Sequence, residues 1–159
     1  MSSIFFTEDA YVMISAFYAI SIPEFHMHTH THGSCEIMYV TGGSCDVQCQ
    51  GEDIHLRQNQ FIFIDAQVPH KLSVLEGHPC AILNIEFQRC KEEGMIDLSL
   101  LQKNSEDFQK FCKQNSPFLV SQDLRSLGYA LKDLITFLQK ESTQKDYLAS
   151  ILFQRMLLE

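Results

Sequence analysis

Short apolar segments alternate with turn residues over the first half of the chain. Residues 11–20 are rich in β-branched and aromatic side chains, which favours a strand, and shorter apolar segments follow at 36–40, 45–49, 54–57, 61–64, 70–75 and 80–87. Turn residues, including the pair Gly42 and Gly43, separate them. Strands spaced by roughly 8–12 residues are typical of a sandwich or barrel. No helical period separates them, which disfavours a parallel α/β sheet.

The pattern changes to a helical period after Arg89. A first helix is predicted to begin near residue 104, a second after Asp123, and a third after Ser142 or Thr143. The second helix carries a narrow apolar stripe at coiled-coil spacing, which either packs against the barrel or pairs with its twin. The stripe consists of Leu124, Leu127, Leu131, Leu134 and Leu138.

Length and charge limit what this chain can do. Its 159 residues suit one domain with a helical appendage. The net charge of −8 disfavours direct binding of a phosphate backbone. No apolar stretch approaches the ~20 residues that cross a bilayer, and no signal peptide is recognisable, so we expect no membrane partner. The six cysteines are expected to be reduced thiols of a cytoplasmic protein.

Histidines recur at every second position before the second strand. They lie at residues 26, 28, 30 and 32, and Glu36 keeps the same parity. In an extended strand these side chains would share one face. His70 follows the next strand and turn, so we predict that His30, His32, Glu36 and His70 meet at a barrel mouth. Imidazole and carboxylate together suit Zn, Ni, Fe or Mn. The alternative is that they hydrogen-bond a ligand or water.

The same alternation predicts the lining of a pocket. If Glu36 faces inward, Met38 and Val40 do so too, and an inward His70 brings Leu72 to the same side. A small barrel lined in this way can enclose one small molecule, although such residues can equally fill a core. The predicted pocket comprises His30, His32, Glu36, Met38, Val40, His70 and Leu72.

Two motifs carry a family resemblance. The spacing His30-x-His32-x3-Glu36-x6-Gly43 resembles the first motif of the cupin superfamily, and residues 58–70 (QNQFIFIDAQVPH) resemble the second. The second motif departs from the common pattern at Asp65, Gln67 and Val74. Residues 36–43 (EIMYVTGG), followed by Pro69-His70, more narrowly resemble the N-terminal effector-binding and dimerisation domain of AraC-type transcriptional regulators.

This resemblance implies a mainly β fold, a cupin-like antiparallel β-barrel of the jelly-roll type followed by about three α-helices. We predict a flexible arm at residues 1–10, the ligand-binding barrel at 11–90 and a helical dimerisation or linker region at 91–159. The chain would be the non-enzymatic sensing domain of a bacterial regulator. It would bind a small-molecule effector and form a homodimer through the leucine stripe.

DNA would be contacted only through a helix-turn-helix domain that is missing from this sequence, and expected to follow it. The alternative function is a metal-dependent cupin enzyme, such as a dioxygenase or isomerase, which the same histidines and Glu36 would serve.

Overall fold

The computed structural model describes residues 11–91, 96–114, 116–140 and 145–159. The predicted arm at residues 1–10 lies outside these ranges. Nine strands and four helices lie within them: β1 (Tyr11–Ile22), β2 (Phe25–His26), β3 (Cys35–Cys49), β4 (Glu52–Arg57), β5 (Gln60–Ile64), β6 (His70–Val74), β7 (Cys80–Cys90), β8 (Ile96–Asp97), α1 (Ser99–Asn104), α2 (Glu106–Lys113), β9 (Phe118–Gln122), α3 (Leu127–Leu138) and α4 (Lys145–Leu158).

Strand β3 connects the two parts of the antiparallel sheet. Its first half pairs with β5 and β7, and its second half pairs with β4 and β6. The bend between the halves lies at Gly43, whose φ is +72°. A Cβ at this position would overlap the carbonyl oxygen of Pro79, so the backbone approach requires glycine. Residues 41–44, predicted as a turn between two strands, are therefore a bend within one strand.

The inner side of the sheet encloses an apolar cluster, which we call the barrel core. Strand alternation brings one set of side chains inward from each strand. Met38, Val40 and Leu72 belong to this cluster, as the alternation predicted, and all three are buried. The other large members come from neighbouring strands and include Val47, Leu56, Ile62, Ile64 and Ile82.

The outer side of the same sheet packs against the helices and forms a second cluster, the helix-facing core. Ile37 and Tyr39 of β3 point to this side, where Phe87 packs edge-on against Phe153 of α4 with a ring-centroid distance of 5.0 Å. Helix α3 contacts both the sheet and α4, and α4 also contacts the sheet at β8. The helices therefore have apolar partners on their own barrel.

The leucine stripe is part of this helix-facing core. Leu131 and Leu134 are fully buried, with 0% of their surface exposed, and Leu127 and Leu138 are buried beside them. A partner could bury no further surface of Leu131 and Leu134 and little of Leu127 and Leu138, so these four leucines do not form the predicted dimer interface. Leu124 precedes α3 and is 85% exposed, so it is not part of the helix at all.

The region after the barrel contains more secondary-structure elements than the three helices that its periodicity predicted. Ser105 ends α1 and begins α2, and its Oγ accepts a hydrogen bond from the Phe108 N–H at 3.2 Å. The helix predicted to start near residue 104 is thus α2, and the shorter α1 precedes it. Strand β9 then pairs with β5 before α3 begins. None of the helices in the described ranges is long and apolar enough to cross a membrane.

Candidate functional site

The barrel mouth is formed where the chain before β3 meets the start of β6. The backbones of His30 and His70 exchange two hydrogen bonds of 3.0 Å, which hold the two residues opposite each other. Residues 27–34 do not form the continuous strand that the alternating histidines predicted, because β2 ends at His26. His26 consequently lies outside the mouth, exposed and 3.4 Å from Glu24.

Three imidazoles meet at this mouth. The ring centroids of His30 and His70 lie 4.4 Å apart, those of His32 and His70 4.9 Å, and those of His30 and His32 5.4 Å. One candidate ligand atom from each of the three lies within 4.8 Å of the others. His32, Glu36 and Glu86 form a second such group, which shares His32 with the first. The predicted set of His30, His32, Glu36 and His70 is therefore brought together.

Backbone carbonyls orient the rings. The Nδ1 atom of His70 lies 2.8 Å from the Val68 carbonyl oxygen, and Nδ1 of His32 lies 2.9 Å from that of Ser34. A carbonyl oxygen can only accept, so we assign the proton of each ring to Nδ1. In a neutral ring the Nε2 lone pair is then left to face the mouth. Metal-binding histidines are commonly held in this way.

Glu36 lies at the centre of the cluster. Its Oε2 atom lies 3.0 Å from Nε2 of His70 and 3.3 Å from Nε2 of His32. Burial alone would raise the pKa of Glu36, but its interactions with the nearby His32 and His70 side chains outweigh burial and lower the pKa to about 2. The hydrogen bond to Glu36 raises the pKa of His32, although burial opposes this effect. The mouth thus holds an ionised carboxylate.

The Nε2 atom of His70 is a buried polar atom that lacks a hydrogen bond among the residues that the structure describes. Glu36 Oε2 lies 3.0 Å from it, but Nε2 has no hydrogen-bond partner within the described residues. A ring nitrogen lone pair and a carboxylate at 3.0 Å repel each other unless a proton or a cation lies between them. A divalent metal would satisfy both groups, so the donor set fits such an ion.

Sequence reasoning missed two polar residues on β7. Glu86 lies opposite Glu36 in the β3–β7 register, and its Oε1 lies 3.1 Å from Nε2 of His32. Asn84 shares the same inward face, is 0% exposed, and has no hydrogen-bond partner for either side-chain polar atom in the part of the chain that is described. The available signal was two polar residues alternating with Leu83, Ile85 and Phe87 in an apolar strand.

Tyr18 of β1 completes the polar surroundings. It lies opposite Asn84 in the β1–β7 register, so both side chains are on the same face of the sheet. Burial, together with the negative charges of Glu36 and Glu86, raises the pKa of Tyr18 to about 12. Tyr18 is therefore a neutral phenol that can donate a hydrogen bond at the mouth.

Known proteins resemble this chain both in sequence and in structure. A family model described as the AraC-like ligand binding domain matches residues 15–156. An uncharacterized HTH-type transcriptional regulator, YobQ of Bacillus subtilis (strain 168), is 23% identical over 64 residues. The match covers 40% of this chain and 27% of that protein, so the chain spans about a quarter of the relative's length.

Two solved structures resemble the fold. YhaK from Escherichia coli matches with a TM-score of 0.50 and 9% identity, over 70% of this chain and 43% of that chain. A cupin protein from Bacteroides fragilis matches with a TM-score of 0.42 and 20% identity, over 52% and 70% of the two chains. The predicted cupin-like antiparallel fold with C-terminal helices is confirmed.

Proposed function

Because the chain belongs to the family of AraC-like ligand binding domains, we propose that it senses a small-molecule effector for a cytoplasmic transcriptional regulator. The regulator would bind DNA through a helix-turn-helix domain elsewhere in the whole protein. The description of YobQ as an HTH-type regulator supports this role. So does the net charge of −8, because this domain lacks the excess of cations that DNA binding requires. The domain itself would not be an enzyme.

The effector site would be the barrel mouth. The observation that carries this proposal is the convergence of the His30, His32 and His70 side chains on Glu36 and Glu86. We propose that the five residues hold a divalent Zn, Ni, Fe or Mn ion. When bound, the ion would supply a Lewis-acidic anchor for an oxygen of the effector.

The remaining polar groups would orient the effector. The Asn84 amide and the Tyr18 hydroxyl can form hydrogen bonds to it, and Asn84 has both polar atoms still unpaired among the described residues. Met38, Val40 and Leu72 pack in the barrel core beneath the histidines. We propose that these three residues form the apolar floor of the site, so that the effector binds at the mouth above them.

A metal titration tests this site. In the metal-free protein, Zn²⁺, Ni²⁺ and Mn²⁺ are added separately, and the melting temperature is followed by calorimetry. A ligand that binds only the folded state stabilises it by about 2.7 kcal/mol at a hundred times its Kd. We expect one of these ions to raise the melting temperature, and the His70→Asn variant to lose that rise.

His55→Ala is the matched control. His55 also pairs with a carboxylate, since its Nδ1 lies 2.7 Å from Asp46 Oδ1, but the pair is exposed and neither residue belongs to the groups of possible metal ligands at the mouth. The control should keep the full response to metal. An equal loss in both variants, or no response in the parent protein, would contradict a metal at the mouth.

We also propose that the domain forms a homodimer, through the outer face of α4. Ala149, Phe153 and Met156 on one side of this helix are buried in the helix-facing core. Tyr147, Ile151 and Leu158 lie on another side, at helical spacing, and are 75%, 46% and 49% exposed. A helix that is apolar on both sides is expected to be covered on both.

Sedimentation velocity measures the proposed association. The Ile151→Glu variant introduces a charge into the outer face of α4 and should shift the protein to the monomer. Leu100→Glu is the control, because Leu100 of α1 is an exposed leucine on another helix. A parent protein that sediments as a monomer at high concentration would contradict the dimer, and equal dissociation by both variants would contradict this interface.

A metal-dependent cupin enzyme is the second candidate function, because the same donor set could bind a catalytic iron. Iron bound at one equivalent, with dioxygen consumption that is lost in His32→Ala, would favour the dioxygenase. Metal binding that alters operator occupancy by the whole regulator, without dioxygen consumption, would favour the sensor.

A further inference from the structure

A second cavity lies behind the barrel, between the outer face of the sheet and the helices. Its volume is about 340 Å³. Phe61 and Phe63 of β5 line it from the sheet side, and Phe108 and Phe111 of α2 line it from the helix side. We call it the helix-facing cavity. It lies near the lower end of the range of about 300–1,000 Å³ that is usual for small-molecule pockets.

The helix-facing cavity is separate from the barrel mouth. Ile37 lines the cavity, whereas its neighbour Glu36 belongs to the mouth. Successive residues of a strand point to opposite faces of the sheet, so the backbone of β3 lies between the two sites. A molecule in the cavity would touch the sheet, α2 and α4, and none of the histidines of the mouth.

The walls of the cavity are aromatic. The rings of Phe63 and Phe111 meet edge to face with a centroid distance of 5.1 Å, and those of Phe108 and Phe111 are 6.3 Å apart. Such rings favour a further aromatic group that can stack or meet them edge-on. A small aromatic molecule that fills the space between these rings would make dispersion contacts with their atoms.

The polar residues of the cavity carry both signs of charge. Arg125 lines it together with Asp107 and Glu159. The Nη1 atom of Arg125 donates a hydrogen bond of 3.0 Å to the Leu158 carbonyl oxygen, which holds the guanidinium group against the end of α4. A ligand with a net charge would meet both attraction and repulsion here. The lining therefore favours a neutral molecule.

We infer that the helix-facing cavity is a second binding site, which takes a compact, neutral aromatic molecule of one or two rings. This inference is independent of metal binding at the mouth, because no residue of the mouth lines the cavity. It also differs from the proposed effector site in its chemistry, since shape and aromatic contact would select the ligand rather than coordination.

Indole is a suitable probe, because the chain contains no tryptophan and indole fluorescence can be excited without that background. Titration of the protein into indole should produce a saturable blue shift as the probe enters the apolar cavity. The Leu119→Phe variant should weaken binding at least tenfold, because Leu119 lines the cavity and the larger side chain occupies part of it.

Val120→Phe is the matched control, since Val120 is the next residue of β9, is exposed, and does not line the cavity. It should bind indole within twofold of the parent protein. Leu157→Phe, which narrows the cavity from α4, guards against a folding defect in Leu119→Phe, and cooperative thermal unfolding is checked for each variant.

His70→Asn should leave indole binding unchanged, which separates this site from the mouth. The absence of a saturable shift in the folded parent protein would overturn the inference. So would equal affinities of Leu119→Phe, Leu157→Phe and Val120→Phe, because the probe would then bind elsewhere.

Discussion

The barrel mouth and the helix-facing cavity use adjacent residues of one strand for opposite chemistry. Glu36 of β3 points inward and lies 3.0 Å from His70, whereas Ile37 points outward and lines the aromatic cavity. The alternation of a strand is sufficient to produce this separation. One sheet can therefore offer a coordinating site on one face and an apolar site on the other, with no loop insertion for either.

The two sites also differ in the kind of contact that a ligand would supply to their lining atoms. At the mouth, His70 Nε2 and both polar atoms of Asn84 are buried without hydrogen-bond partners in the described part of the chain. A buried polar group without a partner costs roughly 1–3 kcal/mol, so a ligand that supplies one gains affinity. In the cavity the lining gains mainly dispersion contacts. We expect the mouth to discriminate by chemical type and the cavity by shape.

The largest expected effect comes from the bend that both faces share. Gly43→Ala should reduce the free energy of unfolding by more than about 4 kcal/mol, because a positive φ and a backbone overlap with Pro79 act together. Both sites should be lost with the fold. Urea denaturation measures the change, and retention of near-parental stability would show that β3 can bend without glycine.

Gly51→Ala separates the two causes in that experiment. Gly51 has a similar φ of +82°, but a Cβ there would meet no atom within 4 Å. Only the conformational cost remains, about 1–2 kcal/mol for a left-handed residue with a side chain. The difference between the two variants therefore measures the close approach of Gly43 to Pro79.

The next largest expected effect is a loss of ligand binding on one face of the sheet, while the site on the other face is retained. Glu36→Gln removes the ionised carboxylate from the mouth and should weaken metal binding at least tenfold, which corresponds to about 1.4 kcal/mol. It should leave indole binding unchanged. Ile37→Val is the reciprocal variant, and should weaken indole binding while metal binding is retained. Isothermal titration of both ligands against both variants checks this, and a change in both affinities in either variant would show that the faces are coupled.

The residues that the structure places where the sequence predicted them obey short-range rules. Alternation along β3 placed Glu36, Met38 and Val40 inward, and the two motifs brought His30, His32 and His70 to one mouth. A period of two residues is a local property of a strand, so it can be read without knowledge of the partner strands. The spacing of the turns predicted a sandwich or barrel, and the resemblance of the two motifs narrowed that prediction to a cupin-like fold.

The wrong predictions from the sequence concern which surfaces pack against each other. The period of apolar residues shows which face of an element is buried, but not what covers that face. The leucines of α3 have the spacing of a coiled-coil seam, but sheet and helix α4 of the same chain cover them. Glu86 and Asn84 were missed because only the register of β7 against β3 brings them beside Glu36 and Met38. Register depends on pairing between distant segments, so neither the fifth ligand candidate nor the buried amide follows from spacing alone.

The junction between the helix-facing core and α3 depends on Asp123. Its carboxylate accepts hydrogen bonds from the Leu127 and Gly128 N–H groups at 3.2 and 2.9 Å, and from the Tyr39 hydroxyl at 2.9 Å. Burial alone would raise the pKa of Asp123, but these donors and the N–H of Arg125 lower it below its ordinary value. Asp123 therefore caps the start of α3 and attaches it to β3.

The smallest expected effect is the loss of this cap, which also depends on pH. Asp123→Asn should lower the free energy of unfolding by about 1 kcal/mol at neutral pH. Because the pKa is lower in the folded state, the wild-type advantage is fully present above the ordinary pKa of 3.8 and is lost as the pH falls through the folded value. Asp133→Asn is the control on α3, since Asp133 forms an exposed ion pair with Arg155 and should cost under about 0.5 kcal/mol. Denaturation of all three proteins between pH 3 and pH 7 makes the comparison, and a wild-type advantage over Asp123→Asn that grows on acidification would contradict the cap.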